Sequence, residues 1–104
     1  MDITTTATIP HKEITEVIGI VRGNTIRAKH IGKDIVAGLR TIVGGEIKEY
    51  VEAMSEAREQ AMERMIQDAK EQGADAVVNV RFATSQVMTG AAELLVYGTA
   101  VKLK

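Results

Sequence analysis

From Ile47 to Ala69 the apolar positions recur every three or four residues. At about 100° per residue, Ile47, Tyr50, Val51, Met54, Ala57, Ala61, Met65 and Ala69 fall on one side of a cylinder, and Glu49, Glu52, Glu56, Glu59 and Glu63 fall on the other. That segregation predicts an amphipathic helix over 46–72, rich in Ala, Glu, Met, Gln and Arg, with no Pro and no internal Gly. Acid crowds its first half and Lys70 lies near its end, as the helix dipole favours. Gly73 follows the last periodic residue and is suited to the left-handed conformation that closes a helix.

Beyond Gly73 the period changes to two. Ala76 to Thr84 reads as a strand, with Val78, Val80 and Phe82 on one face and Val77, Asn79 and Arg81 on the other. Ile3 to Ile9 reads as an earlier strand, with Ile3, Thr5, Ala7 and Ile9 on one side, ended by Pro10. Glu13 to Val21 alternates again, with Ile14, Ile18 and Ile20 against Val17 and Val21. Gly23-Asn24 signals a turn before Thr25 to Ala28, so these pieces make either a hairpin or one bent strand. His30 to Val43 predicts a short helix with Ile31, Ile35, Leu39 and Ile42 at helical spacing, weakened by Gly32 and Gly38 and stopped by Gly44-Gly45. Met88-Thr89-Gly90 marks a turn, and Glu93 to Leu103 is the last strand.

That last strand is apolar on both faces: Leu95, Tyr97, Thr99, Val101 and Leu103 on one, Leu94, Val96, Gly98 and Ala100 on the other. A sheet with helices on one side and water on the other should alternate apolar with polar. Two helices cover one face of a small sheet, so the other face or the edges are expected to meet a second copy of the chain. The elements thus predict a single domain over 1–104 in which a small sheet carries one long helix and a short one.

Composition sharpens this. A chain of 104 residues, 45% hydrophobic and 3% aromatic, builds its core from aliphatic side chains and leaves apolar surface uncovered. A formal charge of −1 argues against general nucleic-acid affinity. The chain has no cysteine, so it forms no disulfide and offers no thiolate to a metal. With the polar, threonine-rich Met1 to Pro10 stretch and no apolar run long enough for a bilayer, this points to the cytoplasm and away from membranes. Charge is unevenly placed: Arg22, Arg27, Lys29, Lys33 and Arg40 face only Asp34, whereas residues 46–75 carry nine acids against four bases. Opposite blocks of this kind can meet within a subunit or between neighbours.

Four constellations bear on chemistry. The glutamate stripe has the spacing to hold a hard divalent ion, but it also has the look of a solvated helix face. Met54, Met62, Met65 and Met88 suggest copper(I) by their thioethers and core packing by their positions. His11 and His30 are far apart, so a zinc site would have to be built between subunits. Arg27, Lys29, His30 and Lys33 bracket the start of the predicted short helix, where backbone N–H groups favour an anion, and form the candidate ligand site. Asn79 and Arg81 would line a cleft if their face is open, or satisfy a subunit interface if it is closed. No nucleophile is paired with a base: Ser55 and Ser85 have no neighbouring histidine, and no GxSxG is present. The reading is of a non-enzyme with no cofactor.

The segments TTTATIP, EVIGIVRGNTIRAKHIGKDI, GGEIKEYVEAMSEAREQAMERM and GADAVVNVRF make the chain resemble, over nearly its whole length, the YbjQ-like family of small bacterial and archaeal proteins. The resemblance implies an α+β fold class: a two-layer subunit with an antiparallel sheet packed against one long helix and a short one, somewhat like that of dodecin, assembled into a ring-like pentamer. It implies no biochemical activity and no catalytic residue to carry over. The family's heavy-metal-binding label sits poorly with a chain that has no cysteine and two separated histidines. The expected function is therefore binding or scaffolding by a homo-oligomer, with a ligand at subunit interfaces; the alternatives are a metal-ion-binding protein and a binder of small anions at the basic segment.

Overall fold

The computed structural model describes residues 1–28, 48–88 and 91–104. Four strands and a helix are seen among them: β1 Asp2–Ile3, β2 Ile14–Ala28, α1 Lys48–Glu71, β3 Ala76–Met88 and β4 Ala91–Leu103. They form one sheet in the order β1-β3-β4-β2 with α1 on one face. The predicted short helix at 30–43 lies outside the described residues. So do Thr89 and Gly90; the described residues on either side of them, Met88 and Ala91, pair with each other.

The sheet is mixed, not wholly antiparallel. β2 and β3 both run antiparallel to β4, but β1 runs parallel to β3, with Asp2 opposite Ala76 and Ile3 opposite Val77. A parallel pair needs a long connection, and β2 and α1 supply it. The first strand is also shorter than its β-branched run suggested. After Ile3 the threonine hydroxyls turn on their own segment, Thr4 Oγ1 meeting Thr6 Oγ1 at 2.7 Å and Thr6 Oγ1 donating to Thr8 O at 2.6 Å. Such local bonds compete with a ladder. The segment still follows β3, since Val80 N donates to Thr4 O and Asn79 N to Thr6 O.

β2 is one bent strand, the second of the two readings. Its bend is a bulge at Ile18-Gly19, where Gly19 has φ 148. Gly23-Asn24 is not a turn, because every residue from Gly19 to Ala28 pairs with β4. The reason for a glycine here is the helix. A Cβ on Gly23 would lie 2.1 Å from Ala61 O and 2.4 Å from Met65 N, so the α1 backbone rests directly on the strand.

The helix itself follows the predicted pattern closely. Ala57, Ala61, Met65 and Ala69, a row at four-residue spacing, have no exposed surface, while Glu52, Glu56, Glu59 and Glu63 are exposed. Three of those four buried residues are alanines, which is what lets the axis come so near the sheet. Against the row pack Val21, Val77, Val80, Val96 and Ala100. Burying Met65 alone contributes on the order of 2 kcal/mol. Gly73, at φ 79, donates to Lys70 O at 3.0 Å, and Ala74 N donates to Ala69 O at 3.0 Å. That reciprocal pair satisfies two carbonyls of the last turn and confirms the predicted stop.

In β3 the predicted alternation breaks at Asn79. It stands at φ 53, and the register with β4 shifts between Val78 and Arg81. The extra residue puts Val77 and Val80 together under the helix, while Val78 joins Ala76 and Val101 on the far face. The expected grouping of Val78 with Val80 therefore fails. Gly98 of β4 faces this bulge, where a Cβ would meet Val77 Cγ1 at 2.6 Å.

Two predictions follow from these contacts. Gly23→Ala should destabilise by about 3 kcal/mol, because backbone atoms must move, and should lower Tm by roughly 15 °C. Gly73→Ala, with only Lys102 Nζ 3.7 Å from the added carbon, should cost about 1 kcal/mol through its left-handed backbone alone. Equal losses in thermal melts would show that the helix simply lifts off Gly23. Separately, Lys12 Nζ donates to Asp2 Oδ2, and this bond and charge hold the Asp2 carboxyl below its ordinary 3.8. A depressed folded-state value gives stability that is present above the unfolded pKa and lost as pH falls through the folded one. The small Tm gap between the native chain and Lys12→Ala at pH 7 should accordingly close in melts taken well below pH 3.8.

Candidate functional site

Helix α1 covers one face of the sheet, and the described residues cover the other face only at one end. There Ile9, Ile14 and Leu103 pack over Ala76, Val78 and Val101. Toward the other end, β2 presents Ile20, Arg22, Asn24 and Ile26, which pair with Thr99, Tyr97, Leu95 and Glu93 of β4. Direct cross-strand partners share a face, so these residues share the uncovered one with Arg81, Ala83 and Ser85 of β3. Ile20 is 74% exposed, Ile26 58% and Tyr97 40%.

At the centre of this face Tyr97 pairs with Arg22 on one side and Arg81 on the other. Strands lie about 4.8 Å apart, so the two arginines flank the ring across roughly 10 Å of sheet. Arg81 is fixed: its Nη1 donates to Thr5 O and to Val80 O, both at 2.9 Å. Neither bond neutralises the guanidinium. Among the described residues the salt bridges are Lys12–Asp2 and Lys104–Glu13, so neither arginine has a carboxylate within ion-pair distance. Glu93, on the same face, accepts instead from Asn24 Nδ2 at 3.1 Å.

Strand alternation divides the basic block that the sequence groups together. Arg22 emerges on the open face and Arg27 on the helix side, where its Nη2 donates to Gln60 Oε1 at 3.0 Å. Of the four predicted ligand residues only Arg27 falls in the described set; Lys29, His30 and Lys33 lie outside it. Of the residue pair set aside as cleft or interface groups, Arg81 reaches the open face, whereas Asn79 forms the bulge that puts it there. Arg22 and Tyr97 were not predicted as site residues. The signal was present in the charge block and in the last strand, but only the register joins them.

The heavy-metal idea can be tested against the donors. Among the described residues no three His, Cys, Asp or Glu side chains gather closely enough to hold an ion. His11 is exposed on the N-terminal segment. Met65 is fully buried in the core, Met62 packs against that core, and Met88 is 66% exposed at the far end of β3. The methionines thus serve packing or stand apart, and the described residues of a single chain do not fit a soft metal.

Residues 1–104 match the family model YbjQ_1, whose description reads "Putative heavy-metal-binding". The chain belongs to the YbjQ_1 family. A UPF0145 protein of Archaeoglobus fulgidus is 66% identical over 98% of this chain and 94% of its own length. A UPF0145 protein of Methanosarcina acetivorans is 63% identical over 99% and 97%, and one of Thermosipho africanus is 62% identical over 100% and 96%. The YbjQ_1 fold also matches the crystal structure of a protein of unknown function of the DUF74 family from Pediococcus pentosaceus, with a TM-score of 0.66 at 15% identity, covering 100% of this chain and 98% of that one. That likeness concerns the fold alone. These relatives carry no enzymatic name, and no helix among the described residues is long and apolar enough to cross a membrane.

The Arg81 contacts give a prediction independent of any ligand. Arg81→Ala removes the hydrogen bond to Thr5 O that fastens the N-terminal segment to β3, together with the one Arg81 makes to Val80 O within its own strand, and should cost about 1–2 kcal/mol. It should also speed amide exchange at Asn79 and Val80, whose N–H groups donate to Thr6 O and Thr4 O. Unchanged exchange at both positions would show that the segment is held by other contacts.

Proposed function

We propose that this YbjQ_1 chain is a non-enzymatic homo-oligomeric binding protein whose copies shelter one another's uncovered sheet surfaces and hold a small ligand where they meet. The observation that carries this reading is the exposure of large apolar side chains on an ordered sheet. Besides Ile20, Ile26 and Tyr97 on the open face, the outer half of β3 leaves Phe82 48%, Val87 52% and Met88 66% exposed. Monomers rarely tolerate contiguous apolar patches beyond a few hundred Å². Phe82 is on the helix side, opposite Val96, yet α1 lies over β2 and β4 and does not reach it.

Shape supports the same reading. The molecule measures 55 × 24 × 16 Å with a radius of gyration of 17.2 Å, against about 13 Å for a compact domain of this length. An elongated two-layer subunit with one bare face is well suited to closing a ring with its neighbours, the dodecin-like pentamer of the family resemblance. The residues Arg27, Lys29, His30 and Lys33 are proposed to contribute positive charge toward an anionic ligand; of them Arg27 stands on the helix side of β2, and the other three lie outside the described residues. The reading as a non-enzyme draws on the surroundings of the serines among the described residues, where Ser55 Oγ accepts from Arg58 Nη2, Ser85 stands opposite Glu93, and neither hydroxyl has a hydrogen bond to a histidine.

Sedimentation at micromolar concentration should give a mass several times 11.3 kDa. Ile20→Glu, which places a charge at the most exposed large apolar side chain of the open face, should shift it toward the single-chain mass without unfolding the chain. A folded 11 kDa particle from the native sequence would overturn the proposal.

A further inference from the structure

The open face presents more than apolar surface. Two arginines stand in register on either side of a half-exposed tyrosine, one of them anchored by backbone carbonyls and neither answered by a carboxylate among the described residues. A planar guanidinium prefers oxyanions with two oxygens spaced to take two of its N–H groups at once, and phosphate and carboxylate both have them. The chain as a whole is slightly acidic, at −1, so this row is a local positive field on a face that the glutamates of α1, exposed on the opposite layer, do not reach. Its polar neighbours are Asn24 and Thr99, and its carboxylate Glu93 lies two cross-strand rows away, bonded to Asn24.

We propose that Arg22, Tyr97 and Arg81 form a binding site for a small phosphate- or carboxylate-bearing molecule, held between two guanidiniums with the phenol hydroxyl between them. The inference rests on the open face being the ligand face, and it moves the centre of the site from the segment after Arg27 to the middle of the sheet. Arg81 arrives preorganised, because its Nη1 is already engaged with Thr5 and Val80 while its other N–H groups have no partner among the described residues. Arg22 supplies the second arm from the adjacent edge of the row. Its backbone N–H donates to Asp68 Oδ2 at 3.3 Å, which ties the residue's position to α1 without engaging its side chain. The span between the arms, roughly 10 Å at the backbone, suits an anion with two charged groups better than a lone one.

The test is titration calorimetry of the full chain with pyrophosphate, citrate and inorganic phosphate. Emission of its two tyrosines, Tyr50 and Tyr97, is followed in parallel. Pyrophosphate or citrate should bind in the micromolar range with a change in emission that Tyr97→Phe abolishes, and inorganic phosphate should bind at least tenfold more weakly. Arg22→Ala should weaken binding tenfold or more, and Arg22→Lys should recover only part of it. Arg81→Ala should do the same, but since it also loosens the N-terminal segment, Arg22→Ala is the deciding variant. Preference for pyrophosphate over citrate assigns the phosphate source, and the reverse assigns the carboxylate. No heat and no emission change with any of the three at 1 mM overturns the proposal, as does unchanged binding in Arg22→Ala. Sedimentation of the same samples separates this failure from failure of the assembly reading. Loss of assembly in Arg22→Ala with no anion binding by the native chain would mean that the row contacts a neighbouring copy. A native monomer that binds pyrophosphate through Arg22 would keep the site and remove the assembly.

Discussion

The contact on which the rest of this structure depends is that of the α1 backbone with Gly23. With Ala61 O and Met65 N closer to that position than any Cβ would allow, the helix cannot slide along β2 without meeting a side chain. Three alanines of the row let the backbone come down onto the strand, while Met65, the fourth, fills the core beside it against the valines of the sheet. From this seat the helix reaches over the edge of the sheet. Arg64 Nη1 donates to Asn24 O at 2.6 Å and Asp68 accepts from Arg22 N, which occupies two ladder groups of an edge strand that would otherwise invite pairing. Thr25, nearly fully buried, donates to Ala57 O and closes the same contact.

That placement has a cost on the other side of the sheet. A helix drawn so tightly to β2 and β4 cannot also cover β3, which is why every residue from Arg81 to Met88 is exposed. Two glycines therefore shape the molecule in opposite senses. Gly23 admits the helix, and Gly98 admits the bulge at Asn79, whose half-turn sends Val80 inward and Arg81 outward. Without that bulge, strict alternation would put Arg81 on the same side as Val77, under the helix, where an unpaired guanidinium costs far more than it contributes.

The long helix, its stop at Gly73, the strand character of 13–21, 25–28 and 76–84 and the two faces of the last strand could all be read from periodicity, because each depends on local spacing and on side chains of one kind recurring. What periodicity could not supply is register. Gly23-Asn24 has the composition of a turn, and only the approach of a helix almost forty residues away in sequence makes the glycine a packing residue. Asn79 is chemically suited to left-handed backbone, but nothing in its neighbours distinguishes a bulge from one more strand residue. The parallel pairing of Asp2-Ile3 with Ala76-Val77 is a tertiary choice of the same sort. The site suffered most. Arg22 and Tyr97 are 75 positions apart and become neighbours only through the pairing of β2 with β4, whereas the charge block that drew attention to Arg27 is split by the alternation of a single strand.

Charge is distributed through the thickness of the molecule, and this links the proposed assembly to the proposed ligand. Glu52, Glu56, Glu59 and Glu63 are exposed on α1, on the layer opposite Arg22 and Arg81. If two copies met with like faces, sheet against sheet at about 10 Å, four guanidiniums would converge around two tyrosines, an arrangement that repels itself unless oxyanions lie between. If copies met head to tail, the glutamate stripe of one could answer the arginines of the next, and the ring would close by opposite charges while its apolar residues supplied the area. In both geometries the arginine pair, which has no carboxylate partner among the described residues, would be answered by carboxylate or phosphate oxygen, from a bound molecule in the first and from a second copy in the other. The bare face is thus specified by charge as well as by apolar surface, and a neutral apolar partner would satisfy only part of it.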